Sequence, residues 1–186
     1  DTVILLGAFR QTKSDSYNSM FMFTPDGGIS ETVYDKRHLV PFGEFLPFRP
    51  VLERVFPFLG EINYMDDDLS RGEDAVVFDT GHGLVGTVIC FDSIFDTLAA
   101  KSVQNGAELL AVSTNDSWFS DSAAVYMHNN HAKFRAIENG RYVVRSANTG
   151  VSSIISADGR VLGEQDALTT GLVVADVCAR DNQTPY

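Results

Sequence analysis

Cysteine is nearly absent: Cys90 and Cys178 are the two in 186 residues. Two cysteines make no disulfide framework, and a nucleophilic thiol has to stay free to react. Basic residues are also scarce, with 14 Lys and Arg against 25 Asp and Glu and a formal net charge of −11. Phosphate contacts need Lys and Arg, so nucleic acid is a poor partner. The same charge gives no general attraction to anionic lipid headgroups, which leaves apolar surface or segments outside this sequence as the source of any membrane contact. No apolar run approaches the roughly 18 residues of a membrane-spanning helix, and a start at Asp1 without a basic n-region is not a secretory signal. There is no internal repeat and no low-complexity tract. What remains, 44% hydrophobic and 21% charged residues, is ordinary for one soluble globular domain over residues 1–186.

Strands and helices alternate along that domain. Tyr17 to Phe23 and Ile29 to Tyr34 flank the turn chemistry of Thr24-Pro25-Asp26-Gly27-Gly28, which predicts a hairpin. A second hairpin is expected from Ala75 to Phe78 and Leu84 to Cys90, across Asp79-Thr80-Gly81-His82-Gly83. A helix over about Ile94 to Gln104 then leads to a short buried strand, Leu109 to Ser113, so this strand and the one ending at Cys90 should be parallel neighbours. A second helix is predicted from about Ala123 to Asn139, with Met127, Phe134 and Ile137 near one face and Gly140 as its stop. Tyr142 to Ala147, Val151 to Ser156 and Val161 to Gly163 read as a meander that Leu172 to Ala175 closes, with Cys178 in or just after this last strand. The pattern is that of an α/β layer protein with mixed sheets.

Cys90 ends the apolar run Leu84 to Ile89, where the chain turns out of a sheet. An α/β enzyme can present a nucleophile there, although a lone cysteine is more often a small buried hydrophobe. Its candidate helpers are Lys36 and Glu44, because a thiol needs a base and a nearby ammonium stabilises both thiolate and oxyanion.

Four segments in order, Tyr34-x-Lys36-x-His38-Leu39, Pro41-Phe42-Gly43-Glu44, Ile89-Cys90-Phe91-Asp92 and Arg135-Ala136-x-Glu138-Asn139-x-Arg141, resemble the nitrilase, or carbon–nitrogen hydrolase, superfamily. Within it, the unbroken His38 to Pro47, the segment Asn115-Asp116-Ser117-Trp118-Phe119 and the closing Thr184-Pro185-Tyr186 resemble the extracytoplasmic domain of the apolipoprotein N-acyltransferases. The resemblance implies an αββα sandwich with mixed sheets, here lacking its first strand and helix elements. It also implies a Glu-Lys-Cys triad with Cys90 as nucleophile, Lys36 on the oxyanion and Glu44 as a second, supporting glutamate. The triad's first glutamate has no match, and the chain is expected to begin after it and to be inactive alone. Phe91-Asp92 departs from the Tyr-Glu usual in the acyltransferases, and Asp at that place is common in soluble nitrilases.

The expected reaction is ping-pong transfer of an acyl chain from phospholipid, through a cysteine thioester, to the amine of a diacylglyceryl-cysteine lipoprotein. It would take place on the periplasmic face of a bacterial inner membrane, with membrane helices outside this sequence and with no metal or organic cofactor implied. The alternatives are a soluble nitrilase-type amidase and a non-catalytic interaction domain. Phe91, Asp92, Trp118, Phe119 and His128 are candidate substrate-binding residues, as are Phe45 and Phe48 in the aromatic, Pro-interrupted arm Phe42–Leu59 that could meet lipid. His128 and His131, three apart on the second predicted helix, make a weak metal pair without a third ligand. Asp66-Asp67-Asp68 reads as solvated loop, since it lacks the spacing of a calcium loop.

Overall fold

The computed structural model of the chain describes residues 2–56 and 68–186. Strands β1 (Ile4–Gln11), β2 (Ser16–Phe23) and β3 (Ile29–Asp35) form an antiparallel three-stranded sheet in that order. The β2–β3 turn closes as its composition predicts, with Gly27 at φ 84° and its N–H donating to the Thr24 carbonyl. A six-stranded sheet follows, ordered β4 (Val77–Asp79), β5 (Leu84–Ile89), β6 (Leu109–Asn115), β7 (Tyr142–Asn148), β8 (Ser152–Ile155) and β9 (Val161–Gln165). Its centre, β5-β6-β7, is parallel and its flanks are antiparallel. Parallel neighbours need long crossovers. These are α2 (Asp96–Gln104) between β5 and β6, and α3 (Ala123–Asn139) between β6 and β7, while a shorter α1 (Arg49–Val55) lies in the arm.

Two apolar clusters hold the layers together. Met20, Met22 and Tyr34 of the small sheet meet Phe78 and Ile89 of the large one, so the sheets pack face to face. Leu98 and Ala99 of α2 and Ala132 and Ala136 of α3 pack on Val88, Leu110, Val112 and Val143 of the large sheet's other face. Leu110 is 1% exposed, and its truncation to Ala should cost about 2–5 kcal/mol. On the far side of the small sheet Ile4, Leu6 and Ile29 remain exposed. This layering is the mixed α/β sandwich expected from the sequence.

Three expectations change. The chain from Cys90 to Ile94 forms a tight 3₁₀ turn, which delays α2 to Asp96. Leu172 to Ala175 joins no ladder, because both parities of that segment are apolar and Leu172 and Val174 face solvent while Val173 packs by Gly163. Cys178 is accordingly exposed in an unpaired extended segment. Helix α3 also turns the opposite way: Met127, Phe134 and Ile137 are exposed, and the buried face carries Val125, His128, Asn129, Ala132, Arg135, Ala136 and Asn139. Small and polar residues win that face because their groups are satisfied inside. Asn129 Oδ1 accepts from Ser153 Oγ at 2.8 Å, Arg135 donates to the Ile94 carbonyl at 2.9 Å, and Asn139 donates to the Arg135 carbonyl.

Candidate active site

The carboxyl ends of β5, β6 and β7 open toward one side, the usual location of a site in a parallel sheet. Cys90 follows β5 directly and adopts φ 51°, a left-handed conformation that costs a side chain of this kind about 1–3 kcal/mol and is kept only where surroundings impose it. Several groups impose it here. Asp92, buried two residues on, accepts hydrogen bonds from the Tyr34 hydroxyl at 2.6 Å, the His38 N–H at 2.7 Å and the Ile89 N–H at 3.1 Å. Burial pushes the Asp92 carboxyl above its ordinary value, opposed by the Tyr34 and backbone hydrogen bonds. Burial, then the charge of Asp92, raises the Tyr34 phenol well above its own. The Cys90 carbonyl accepts from Ser93 Oγ at 2.7 Å and lies 3.1 Å from His128 Nε2.

Lys36 leaves β3 and is 1% exposed. Its ammonium donates to both carboxylate oxygens of Glu44, at 2.9 and 2.7 Å. Glu44 also accepts from Asn18 Nδ2 at 3.0 Å and the Val40 N–H at 2.8 Å. The Pro41–Phe45 turn thus delivers a carboxylate that holds the buried Lys36 side chain in place.

Two cavities meet at the thiol. The more polar of the two, about 580 Å³, sets Lys36, Glu44, Asn18, Thr114 and Asn148 beside Cys90 within walls that also include Phe9 and Ile89. An apolar one of about 290 Å³ is lined by Cys90, Phe91, Ile94, Phe119, Met127 and His131. Val40 and Trp118 border both. At Gly7 the two sheets approach so closely that a Cβ would come 2.9 Å from Ser113 Oγ, on the wall of the polar cavity.

The candidate residues therefore separate. Cys90, Lys36 and Glu44 share the polar cavity, and Phe91, Trp118, Phe119 and His128 line the apolar one. Asp92 lines neither and braces the Cys90 turn through its bonds to Tyr34, His38 and Ile89. Phe45 is half-buried in the arm, and Phe48, 81% exposed, lies outside both cavities. Left-handed backbone at Phe42 and Phe48 accompanies two exposed rings, and Val51, Val55 and Phe56 continue that apolar surface. The end of the arm, Pro57, Phe58 and Leu59, lies outside the described residues, as do Asp66 and Asp67. Asp68 is no free loop acid: it accepts from the Leu46 N–H at 2.9 Å and from Arg49 Nε at 2.8 Å, tying down the base of the arm.

Two residues to which sequence reading assigned no site role lie beside these. Asp116, just after β6, and Arg145, in the middle of β7, pair at 2.6 Å with both side chains fully buried. His128 Nδ1 binds the other Asp116 oxygen at 2.8 Å, which takes His128 away from any shared metal face with His131. Burial alone would raise the Asp116 carboxyl, yet the His128 hydrogen bond, the Arg145 charge and Thr114 hold it below its ordinary value. Burial lowers the half-buried His131 imidazole, with Arg135 and His128 adding to it. One ligand-type atom each of Cys90, Asp116 and His128 lies within 4.8 Å of the others. Arg145 occupies the carboxylate, so this is an ion-pair network rather than a coordination sphere. Arg145, an always-charged residue inside the apolar strand Tyr142-Val143-Val144-Arg145, was the available signal. Among the described residues no helix is long and apolar enough to cross a membrane.

The carbon–nitrogen hydrolase family matches residues 1–184. The chain is 39% identical over 160 residues to an apolipoprotein N-acyltransferase of Geobacter metallireducens, covering 84% of this chain and 30% of that one. It is 43% identical over 141 residues to the protein of that name from Methylococcus capsulatus, covering 73% and 27%. The chain thus spans about a third or less of the length of these curated relatives. Among solved structures it is similar to a carbon–nitrogen hydrolase from Helicobacter pylori, with a TM-score of 0.67 at 18% identity over 88% of this chain and 57% of that one. Nit3 of Saccharomyces cerevisiae, a nitrilase superfamily member, gives a TM-score of 0.63 at 21% identity over 88% and 54%. These two likenesses speak for the fold.

Proposed function

The chain belongs to the carbon–nitrogen hydrolase family, and from that premise we propose that it is the catalytic domain of an apolipoprotein N-acyltransferase at the periplasmic face of a bacterial inner membrane. The observation that carries this reading is a thiol on a strained turn between a polar cavity holding a buried ammonium and an apolar cavity able to take an alkyl chain.

In the proposed reaction the Cys90 thiolate attacks the ester carbonyl of a phospholipid, forming a C–S bond and a tetrahedral oxyanion. Lys36 is the fixed positive donor for that oxyanion, and Glu44 keeps it oriented. Collapse breaks the C–O bond, and the lysophospholipid alkoxide leaves with a proton, giving a thioester whose chain lies along Phe91, Phe119 and Met127. The amine of a diacylglyceryl-cysteine then attacks the thioester carbonyl, loses a proton, and expels the thiolate as the amide forms.

Proton transfer needs a base with a free lone pair. Glu44 is engaged by Lys36, Asn18 and Val40, and Asp116 by Thr114, His128 and Arg145. The family resemblance implies the triad's first glutamate as the base, and the reading gives it that role; it has no match among these residues. The exposed arm surface around Phe42, Phe48 and Val51 is assigned to the lipid boundary.

The reading is tested by offering the upstream-extended protein phospholipid with a diacylglyceryl peptide, and separately a panel of small amides. Peptide N-acylation without amide hydrolysis is expected. Amide hydrolysis without acyl transfer would replace it with an amidase.

A further inference from the structure

His128 stands on the face of α3 that packs on the nucleophile turn, 5% exposed, with both ring nitrogens against oxygen. Nδ1 lies 2.8 Å from the Asp116 carboxylate, which can only accept. Arg145 Nη2 is also near Nδ1, but at 3.3 Å and with a better acceptor in the other Asp116 oxygen at 2.6 Å. Nε2 lies 3.1 Å from the Cys90 carbonyl, again an acceptor only, and 3.1 Å from Ser93 Oγ, whose own hydrogen goes to that carbonyl. A hydrogen on each ring nitrogen satisfies the Asp116, Cys90 and Ser93 contacts and leaves only the longer Arg145 approach unmatched, whereas a neutral ring sets a bare nitrogen against the Asp116 carboxylate or the Cys90 carbonyl. The surroundings are built around this network. A Cβ on Gly150 would fall 2.0 Å from Asp116 Oδ2, so only glycine lets the backbone approach there, and Arg145 Nη1 is buried with no hydrogen-bond partner among the described residues.

We propose that His128 is a positioning residue for Cys90: held as an imidazolium by Asp116, it grips the carbonyl of the strained nucleophile and sets a fixed positive charge beside the thiolate. This rests on the reading of Cys90 as the nucleophile. The charge balance gives the imidazolium its purpose. Lys36 is neutralised by Glu44. Arg145 is neutralised by Asp116, so among the described residues His128 is left to supply positive charge at the thiol. The other groups facing the ring are Ser93 in the turn and His131 one turn along α3. Burial lowers the Arg145 guanidinium, and the charges of Asp116 and a Cys90 thiolate oppose that fall, which places the sulfur within the field of the same network.

The test is the pH profile of Cys90 alkylation by iodoacetamide, followed by intact mass in a Cys178→Ser background that removes the exposed second thiol, with and without His128→Gln. Glutamine can still donate to the Cys90 carbonyl but carries no charge. The midpoint should rise by about one unit or more in the variant, which slows alkylation near neutral pH about tenfold. An unchanged midpoint in folded His128→Gln overturns the proposal. Should the variant fail to fold, ¹⁵N-histidine NMR of the wild-type protein decides: both His128 ring nitrogens protonated at pH 7 is expected, and one bare nitrogen overturns it. Neither measurement uses lipid. A charged His128 with no acyl transfer would remove the functional reading alone, and normal transfer with an unshifted profile would remove this one alone.

Discussion

Glu44 grips Lys36 with both carboxylate oxygens, at 2.9 and 2.7 Å, in a pocket where the ammonium is 1% exposed. An ammonium placed this way pays its desolvation before substrate arrives, so it can meet a developing oxyanion without rearranging. Removing one such donor typically costs about 10²–10³ in rate. Lys36→Met should lose at least that in acyl transfer while its melting curve stays cooperative, and a loss under about tenfold would make Lys36 a structural charge.

Glu44→Gln should behave differently. It leaves a buried cation with one neutral acceptor, and breaking such a pair costs about 3–5 kcal/mol. Denaturant titration should show that loss together with reduced activity, whereas an unchanged midpoint would mean that Lys36 finds another partner.

The Asp116–Arg145 pair gives a pH signature. The folded Asp116 carboxyl lies below its ordinary value of 3.8, so its contribution to stability is present above about pH 3.8 and fades as pH falls through the folded value. Asp92 is raised by burial, so its contribution has the opposite sign, present below about pH 3.8 and lost as pH rises through the folded value. Denaturant midpoints of wild type and Asp116→Asn should converge as pH falls through the folded Asp116 value, below 3.8. A constant gap would show that the ion pair does not titrate with the fold.

The apolar cavity sets the acyl chain in this account. Ala124 lines it and is half-buried. Ala124→Trp should fill the space and lower thioester formation from long-chain donors at least about tenfold more than from short-chain ones. Equal losses across chain lengths would place the chain elsewhere.

The arm makes a separable prediction. Phe42, Phe48 and Phe56 are 62%, 81% and 46% exposed, so replacing them with Ser removes little packing from the core. Vesicle binding and use of lipid substrate by the full-length protein should fall while the melting temperature holds within a few degrees. A collapsed fold with no separate effect on lipid would mean these rings pack on protein.

Sequence shows best where local chemistry dictates structure. Gly27 and Gly81 at positive φ mark both hairpins, and Gly140 at φ 61° ends α3 at the expected residue. Cys90, Lys36 and Glu44 were visible as motifs, and the fold carries them to one cavity. The orientation of α3 was not visible. Its buried polar face depends on partners such as Ser153 and the Ile94 carbonyl, which lie far along the chain and have no local periodicity. The same distance hid the Asp116–Arg145 pair and the bracing role of Asp92, each settled by contacts across 29 to 58 residues.

The most direct test is the intact mass of the upstream-extended protein after exposure to phospholipid. The account predicts a single acyl adduct on Cys90, removed by hydroxylamine, absent in Cys90→Ala and, on the proposed assignment of the base, much reduced in the 186-residue chain. General-base assistance is worth roughly 10²–10⁴ in rate, so the two lengths should differ clearly in single turnover. An adduct that persists in Cys90→Ala would contradict the nucleophile, and equal adduct formation by both lengths would place the base among the residues described.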